Sequence, residues 1–396
     1  MNHDLYGKLE KGIDADWIRQ VLQEMVSIRS ENPFYGPPEA GFREKEMADY
    51  LKNRMSSLNL RTEQQEVRPH RPNVFGHLNG TEGKFTLMLA GHTDTARTTG
   101  YPDAYEVKFE DGKVYGRGAC DMKAALAAYL AVAKVLKESG LRLKGNLILC
   151  GNMDEEFQML GSKTIGQGGP KADQGIIGEP THLQICPSNK GRVSTKIITR
   201  GRAAHSSVPE KGVNAIARMA KIIQSFEDYN DELLSRTPHP LCGHGRFTPG
   251  VIQGGVQVNM VPDSCELEVD RRTLPGETKE KVYEEFHQRI QKVKVVVPDL
   301  VYEITEPTWL IAPNDISPQE PVVQALRHAH LAIRHHDPGI QAFVAGSDAP
   351  YMGFPTVICG PGSIAQAHST CEFVELEEVV TAAKIYLHVV LQLLAP

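Results

Sequence analysis

Two spacing patterns of hydrophobic residues alternate along the first half of the chain. Segments 16–29, 42–57 and 122–137 carry apolar side chains three and four positions apart, which predicts helices. Short apolar runs bounded by turn residues predict strands at 60–67, 73–78, 84–90, 146–150 and 175–178. This alternation predicts an α/β fold, with a central mixed sheet flanked by helices.

The pattern changes near Lys190. A strand (192–200), a helix (212–229), two strands (250–261 and 264–273), a helix (278–293) and a strand (300–305) follow one another. This β-α-β-β-α-β order is typical of a ferredoxin-like module. Helices at 321–335 and 375–394, with a strand at 355–359, then resume the earlier style. We therefore predict a domain at 189–306 inserted between two parts of a larger domain, 1–188 and 307–396.

Composition and charge exclude several classes of function. The 396 residues include 43 Lys and Arg against 49 Asp and Glu, a formal net charge of −6. This argues against a nucleic-acid binder, which normally needs a basic face, and gives no reason to expect an anionic membrane as partner. No apolar run approaches the ~20 residues of a membrane span, and the N-terminus lacks the features of a secretory signal. Seven cysteines without a CxxC pair suit free thiols in a reducing cytoplasm.

The segment LMLAGHTDT (87–95) places a histidine and an acid just after a predicted buried strand. Open α/β sheets bind their ligands at such positions. In an extended chain His92 and Asp94 point the same way, so a carboxylate can lie beside a metal-binding imidazole and orient it. The alternative is a surface loop with an ordinary His–Asp contact.

Two further segments carry acids at the starts of loops or helices. Asp121, in YGRGACDMKAA, lies in the turn that opens a helix, where it could bridge two metal ions or simply act as an N-cap. In GNMDEEFQ, three adjacent acids follow a predicted strand, and such neighbours need cations or raised pKa values. Glu156 suits a ligand and Glu155 a general base; the alternative is a solvated acidic loop.

Two later loops complete the candidate set. Glu179 lies at the end of a strand in IIGEPT, and His368 lies in the glycine-rich loop GPGSIAQAH. Each alone is more typical of a structural residue. Together, two histidines and three carboxylates fall at strand ends: His92, Asp121, Glu156, Glu179 and His368. This donor set suits Zn²⁺, and also Co²⁺ or Mn²⁺, and a pair of ions ~3.5–4 Å apart would activate a shared water.

In their order along the chain, these motifs resemble the co-catalytic zinc hydrolases that include acetylornithine deacetylase, succinyl-diaminopimelate desuccinylase, aminoacylase and glutamate carboxypeptidase. The matching segments are GHTDT, YGRGACDMK, DEE, GEPT, GRAAHSS, NMVPDSCELEVDRR and GPGSIAQAH. The resemblance runs nearly from end to end. It implies a catalytic domain with an inserted lid and dimerisation domain, and a homodimer.

The resemblance also implies a role for each residue of the metal site. His92 and Glu179 would hold one ion, Glu156 and His368 the other, and Asp121 would bridge them. Glu155 would be the general base that takes a proton from the water between the ions, and Asp94 would orient His92.

Further residues are implied to contact the substrate. His205, from GRAAHSS, would stabilise the oxyanion, often from across a dimer. Asn259 and Arg272 would contact the substrate, with the Arg272 guanidinium on its carboxylate; a surface charge on a strand is the alternative for Arg272. Gly346 and Ser347, in GSDAP, are further substrate-binding candidates.

The leading prediction is a metal-dependent hydrolase that removes the acyl group from an N-acylated amino acid, closest to the acetylornithine deacetylases. A carboxypeptidase, dipeptidase or desuccinylase would use the same machinery, with a short peptide or another acyl amino acid as substrate. A serine hydrolase is disfavoured because no G-x-S-x-G elbow occurs, and a phosphate-binding enzyme because no GxxxxGK[ST] loop occurs. The intact set of ligands and Glu155 argues against a non-enzymatic binding protein.

A few positions depart from the family pattern or stand outside it. Arg97 replaces a proline after HTDT, and Ala124 and Ala125 replace two glycines after DMK. None of these is a proposed ligand, but they leave the particular substrate undefined. Four histidines on or beside the helix at 321–335 are interpreted as helix-surface residues: His328, His330, His335 and His336.

Overall fold

The computed structural model describes residues 3–34 and 44–395. The chain divides into two units, one formed by residues up to Ser188 together with those from Asp315 onward, the other by Asn189–Asn314. The first two positions of the helix predicted at 42–57 lie outside the described residues.

The first part of the larger unit alternates helices and strands as the hydrophobic pattern predicts. Its helices are α1 (His3–Glu10), α2 (Ala15–Ser27), α3 (Glu44–Ser57), α4 (Ala124–Ser139) and α5 (Leu160–Gly168). Its strands are β1 (Arg61–Arg68), β2 (Arg71–Leu78), β3 (Thr86–His92), β4 (Lys108–Glu110), β5 (Lys113–Tyr115), β6 (Asn146–Asn152), β7 (Gln174–Pro180) and β8 (Ile185–Asn189).

The smaller unit follows. Its strands are β9 (Gly191–Arg200), β10 (Ala204–His205), β11 (Arg246–Gly254), β12 (Met260–Val261), β13 (Ser264–Thr273), β14 (Val301–Ile304) and β15 (Thr308–Ile311). Its helices are α6 (Ala215–Gln224), α7 (Tyr229–Ser235) and α8 (Lys279–Val296). The chain then returns to the larger unit with β16 (Asn314–Asp315), α9 (Pro321–Arg334), β17 (Ile340–Phe343), β18 (Thr356–Gly360), β19 (Phe373–Glu375) and α10 (Leu376–Leu394).

The larger unit is built on a mixed sheet of strand order β1-β2-β6-β3-β7-β18-β8-β16, with β17 beside β8. Strands β6, β3, β7 and β18 run parallel, whereas β2 and β8 are antiparallel to their neighbours. The central strands are buried over almost their whole length, and so is α4, whose alanine-rich sequence packs in the core on every side. This confirms the predicted α/β class with a central mixed sheet. No helix in the described part of the chain is long and apolar enough to cross a membrane.

The smaller unit has its own core and an antiparallel sheet of order β11-β13-β9-β14, with β15 also beside β9. Along β13 buried and partly exposed residues alternate, because α6 packs on one face of the sheet and α8 shares the same core. The role of this unit as a lid or dimerisation domain stays a prediction.

Three details differ from the hydrophobic pattern. The helix predicted at 212–229 is shorter, since α6 ends at Gln224 and α7 begins only at Tyr229; the hydroxyl of Ser225, the residue after α6, donates to the carbonyl of Ile222. The strand predicted at 250–261 is β11 and β12, separated by an exposed loop. The chain leaves the smaller unit after Asn314 rather than at the predicted 306/307 boundary, because β15 still pairs with β9.

The histidines of α9 are not all on the surface. His328, His335 and His336 are exposed, whereas His330 is fully buried, and neither of its ring nitrogens has a hydrogen-bond partner in the described structure. The surface interpretation of His330 is therefore wrong. His330 lies seven positions after Val323 on the same helix stripe, so it faces the core with the apolar residues.

Candidate metal centre

Four neighbouring parallel strands end at one edge of the larger sheet. His92 is the last residue of β3, and Glu179 lies one residue before the end of β7. Glu156 follows β6, and His368 is in the loop after β18. Because the carboxyl ends of parallel strands meet at one edge, this topology brings the four side chains together.

Asp121 reaches the same place from the turn that leads into α4. Its backbone is extended (φ −118°, ψ 96°) rather than helical. The N-cap of α4 is Lys123, and no side chain caps that helix. The N-cap alternative for Asp121 is therefore wrong, and its carboxylate faces the two histidines instead.

Asp121 is shared by two groups of potential metal ligands. In one group, ligand atoms of His92, Asp121 and Glu179 lie within 4.8 Å of one another. In the other, Asp121, Glu156 and His368 meet the same limit. The His92 Nε2 atom is 3.0 Å from Asp121 Oδ1, and the His368 Nε2 atom is 3.0 Å from Glu156 Oε2 and 3.6 Å from Asp121 Oδ2. A carboxylate with one oxygen toward each group has the geometry to bridge two ions.

His92 is oriented by the backbone of Asp94. Its Nδ1 lies 2.9 Å from the carbonyl oxygen of Asp94, whereas the nearer carboxylate oxygen is 3.7 Å away. With Nδ1 donating to that carbonyl, Nε2 is left as the ligand atom, directed toward Asp121.

The carboxylate of Asp94 serves the loop after β6. It accepts the backbone N–H of Glu155 and of Glu156, both at 3.1 Å, and the Nδ2 of Asn32 at 2.8 Å. The neighbouring Asp154 is fully buried and accepts from Asn32 and Arg71. Buried side chains thus fix the acidic loop by hydrogen bonds, and the alternative of a solvated acidic loop is wrong.

The crowding of carboxylates shifts their pKa values. Burial raises the pKa of Glu155 well above its usual range, and the charge of Glu179 adds to this. Burial also raises the pKa of Glu179, with a further contribution from Asp121. Hydrogen bonds to Asp121 and Glu156 raise the pKa of His368 to about 10. A cation bound among these carboxylates would relieve their mutual repulsion and favour their ionised forms.

Two orphaned oxygen atoms support the same conclusion. Glu156 Oε1 and Glu179 Oε1 are buried, and no described residue donates a hydrogen bond to either. Buried carboxylate oxygens without partners are costly. One orphan lies in each group, so each group offers an unsatisfied anionic donor beside a histidine nitrogen, which fits a divalent metal ion.

Gly346 and Ser347 lie in the turn after β17. Ser347 is fully buried, and its hydroxyl accepts the N–H of Ala349 at 3.3 Å. The adjacent Asp348 is also buried and accepts from Asn152 and Ser162. Burial raises the pKa of Asp348 to about 6. Contact of Gly346 or Ser347 with a substrate stays a prediction.

In the smaller unit, His205 and Asn259 lie side by side. His205 on β10 is paired with Met260 on β12, and the N–H of Ser206 donates to the carbonyl of Asn259. Both side chains are exposed. The Nδ1 of His205 is 2.7 Å from the hydroxyl of Ser207, which leaves Nε2 available.

Arg272 lies on the five-stranded sheet of the smaller unit, whereas His205 belongs to the separate two-stranded sheet of β10 and β12. On β13 it is paired with Arg192, while Ser264 is paired with Arg200, close to His205 in sequence. Eight residues of strand separate the two ends, about 26 Å at 3.3 Å per residue. Arg272 is 41% exposed and pairs with Asp270, whereas Arg271 is buried against Glu277. The alternation of β13 therefore distinguishes the two arginines, which the sequence pattern did not.

The sequence analysis missed several buried residues that support the site. Asn32 and Asp154 hold the acidic loop, and Glu372 and Arg117 contact the Asp121 turn. Glu372 lies four residues after His368. Nothing in the local sequence distinguishes this acid, because its partners are more than 250 positions away in the chain.

Comparison with known proteins agrees with this architecture. The profile of peptidase family M20/M25/M40 matches residues 88–392. An acetylornithine deacetylase from Proteus mirabilis is 32% identical over 347 residues, covering 83% of this chain and 85% of that protein. The N-formyl-4-amino-5-aminomethyl-2-methylpyrimidine deformylase of Bacillus subtilis is 26% identical and covers 93% and 94% of the two chains.

Solved structures share the whole fold. A Staphylococcus aureus tripeptidase superimposes with a TM-score of 0.77 at 23% identity, covering 95% of this chain and 98% of its own. At this identity the likeness concerns the fold alone. The family match over most of the chain confirms the resemblance seen in the motifs and identifies a hydrolase of amides and peptides. The chain belongs to peptidase family M20/M25/M40.

Proposed function

We propose that this protein is a di-metal amidohydrolase that removes the acyl group from an N-acylated amino acid. The observation that carries the proposal is the pair of ligand groups that share Asp121, with Glu155 directly before Glu156 in the chain. The 32% identity to an acetylornithine deacetylase and the likeness to a deformylase favour deacylation over peptide cleavage.

The ligands divide into two sets. His92 and Glu179 would hold one ion, Glu156 and His368 the other, and Asp121 would bridge them. Imidazole nitrogens with carboxylate oxygens suit zinc first, with cobalt or manganese as alternatives. Such ions would polarise the scissile carbonyl and lower the pKa of the attacking water.

Glu155 is the residue proposed to move the proton. No described residue donates a hydrogen bond to its carboxylate, whereas its backbone N–H donates to Asp94. Burial and the charge of Glu179 raise its pKa, which suits a group that accepts a proton from water and returns it to the leaving amine.

His205, Asn259 and Arg272 are proposed to bind the substrate, Arg272 through the carboxylate and His205 at the developing oxyanion. Because about 26 Å of sheet separates Arg272 from the end near His205, the two could not both reach one small substrate from the same copy of this unit. This supports the assignment of His205 to the site of a second copy, and hence a homodimer.

The smaller unit has an edge suited to such a dimer. Strand β11 is the outer strand of its sheet, and Val251 and Ile252 on it are 46% and 52% exposed. Val256 and Val258, in the loop after it, are more exposed still. An apolar open edge favours pairing with another chain. Seven free cysteines support a reducing, cytoplasmic setting.

The test is amine release by Zn²⁺- or Co²⁺-loaded protein from a panel of substrates, with a chelated control. The panel holds N-acetyl, N-formyl, N-succinyl and N-carbamoyl amino acids beside dipeptides. We expect chelator-sensitive turnover of an N-acyl amino acid. Preference for peptides would instead assign a carboxypeptidase or dipeptidase, and no turnover with two metals bound would contradict the proposal.

A further inference from the structure

The carboxylate of Glu372 contacts the backbone of the turn that carries Asp121. Glu372 is fully buried and directly precedes β19, at the end of the loop that carries His368. Its Oε1 accepts the backbone N–H of Cys120 at 2.9 Å and that of Asp121 at 3.0 Å. One oxygen of Glu372 thus fixes the main chain of the residue shared by both ligand groups.

The other oxygen of Glu372 is held by Arg117. The Nη1 of Arg117 donates to Glu372 Oε2 at 2.6 Å, and only 2% of the arginine is exposed. Its Nη2 donates to the carbonyls of Arg97 and Ser369, at 3.1 and 3.2 Å. One guanidinium therefore joins the loop after β3, the turn before α4 and the residue next to His368.

The Asp121 turn needs an external acceptor of this kind. Because Asp121 is extended, its N–H and that of Cys120 do not take part in the backbone hydrogen bonds of α4. The turn is also tight: Gly118 has φ +85°, and a Cβ there would lie 2.7 Å from Thr95. Without Glu372, two buried N–H groups beside the ligands would lack a partner.

We infer that Arg117 and Glu372 are positioning residues of the metal centre. They fix the position of the Asp121 carboxylate relative to the loop that carries His368. The inference rests on the proposed function, since it concerns the same site. A buried ion pair contributes little net stability compared with apolar packing, but a guanidinium fork and a carboxylate fix directions. Here their hydrogen bonds reach the Asp121 turn, the loop that bears His368 and the loop that follows His92.

The matched control is a second arginine–glutamate pair, in which the arginine is fully buried and the glutamate is partly buried. In the smaller unit, the Nη2 of Arg271 donates to Glu277 Oε1 at 2.7 Å, and Arg271 is fully buried. Arg271 also faces Tyr229 and no candidate ligand. Glu277→Gln therefore reports what the loss of an arginine–glutamate pair outside the ligand groups does to stability.

The experiment compares Glu372→Gln, Arg117→Lys and Glu277→Gln with the parent protein. Metal affinity is measured by competition with a chromogenic chelator, and the Co²⁺-loaded proteins are compared by visible absorption. Partners of metal ligands typically contribute about 10- to 100-fold in metal affinity or activity. We expect a loss of that size for at least one ion in Glu372→Gln and Arg117→Lys, a changed Co²⁺ spectrum, and a fall in kcat with KM nearly constant.

Glu277→Gln should lower the unfolding temperature while leaving the affinity and the spectrum as in the parent. If Glu372→Gln fails to fold, Arg117→Lys, which keeps the charge but not the fork, decides the matter. Parent-like affinities and spectra in both site variants would overturn the inference while leaving the proposed function intact. A parent protein that binds no divalent ion would overturn the proposed function and this inference together.

Discussion

The carboxylate of Asp94 accepts the backbone N–H of Glu155 at 3.1 Å, and its second oxygen accepts that of Glu156 at the same distance. The side chain of Asp94 therefore fixes the loop that carries the proposed base and one proposed ligand, whereas its carbonyl orients His92. One residue links the end of β3 to the end of β6 through two separate chemical groups.

Replacing Asp94 with Asn should impair catalysis more than metal binding. The amide of Asn supplies one acceptor oxygen, so one of the two N–H groups loses its partner and the base is displaced. We expect kcat to fall by about 10- to 100-fold, with KM and metal content near the parent values. Asp103→Asn, at an exposed position, is the control. A parent-like kcat in Asp94→Asn would contradict this role.

Glu155→Gln and Glu156→Gln should behave differently although the two residues are adjacent. Glu155→Gln removes the proposed base, so we expect a kcat loss of about 10²- to 10⁴-fold with two ions still bound. Glu156→Gln removes a ligand, so metal stoichiometry itself should fall. Steady-state kinetics and elemental analysis of both variants make the distinction. Retained activity in Glu155→Gln would remove it from the role of base.

Removal of metal should destabilise the larger unit. Without cations, the site holds buried carboxylates whose pKa values are already raised by burial and mutual repulsion. Saturation at about 1,000 times the dissociation constant should add about 4 kcal/mol to the free energy of unfolding. Thermal unfolding with chelator and with added Zn²⁺ measures the shift, and His92→Ala should show much less of it. An unfolding temperature that does not respond to metal would argue against a metal centre.

Mixing two inactive variants should restore activity if His205 acts in the site of a second copy. In a dimer of His205→Ala with Glu155→Gln, one site would combine an intact base with an intact histidine. Random exchange of subunits should then recover about a quarter of the parent activity, since half of the dimers are mixed and each has one intact site. No recovery after verified exchange would place His205 in its own subunit's site.

His330 should make stability depend on pH below neutrality. Burial lowers its pKa to about 4, and Arg334 and His336 act in the same direction while Asp337 opposes them. Between the ordinary pKa of 6.5 and about 4, the unfolded chain binds a proton that the folded chain does not, so this group's stabilising contribution is lost as the pH falls through that range. From pH 7 to pH 5 we expect a loss of about 2 kcal/mol.

The measurement is urea unfolding at both pH values. His330→Leu should lack this part of the pH dependence, whereas His328→Leu, on the exposed face of the same helix, should keep it. Equal pH dependence in His330→Leu and the parent protein would contradict the assignment.

The sequence by itself determined the α/β class and most of the long helices and strands, because apolar periodicity follows from which face each element buries. It also pointed to the candidate ligands, since polar residues directly after buried strands must lie at the edge of the sheet where those strands end. Their convergence around Asp121 follows from the parallel order of β6, β3, β7 and β18.

Only the tertiary structure decided which groups hold those residues in place. Arg117 and Glu372 are 255 positions apart, and their contact depends on β19 pairing with β5. Likewise, the burial of His330 depends on how α9 packs against α10, and the separation of Arg272 from His205 depends on the register of β9 and β13. Local spacing fixes the direction of a side chain, but the atom that it meets belongs to a distant segment and is known only once the chain has folded.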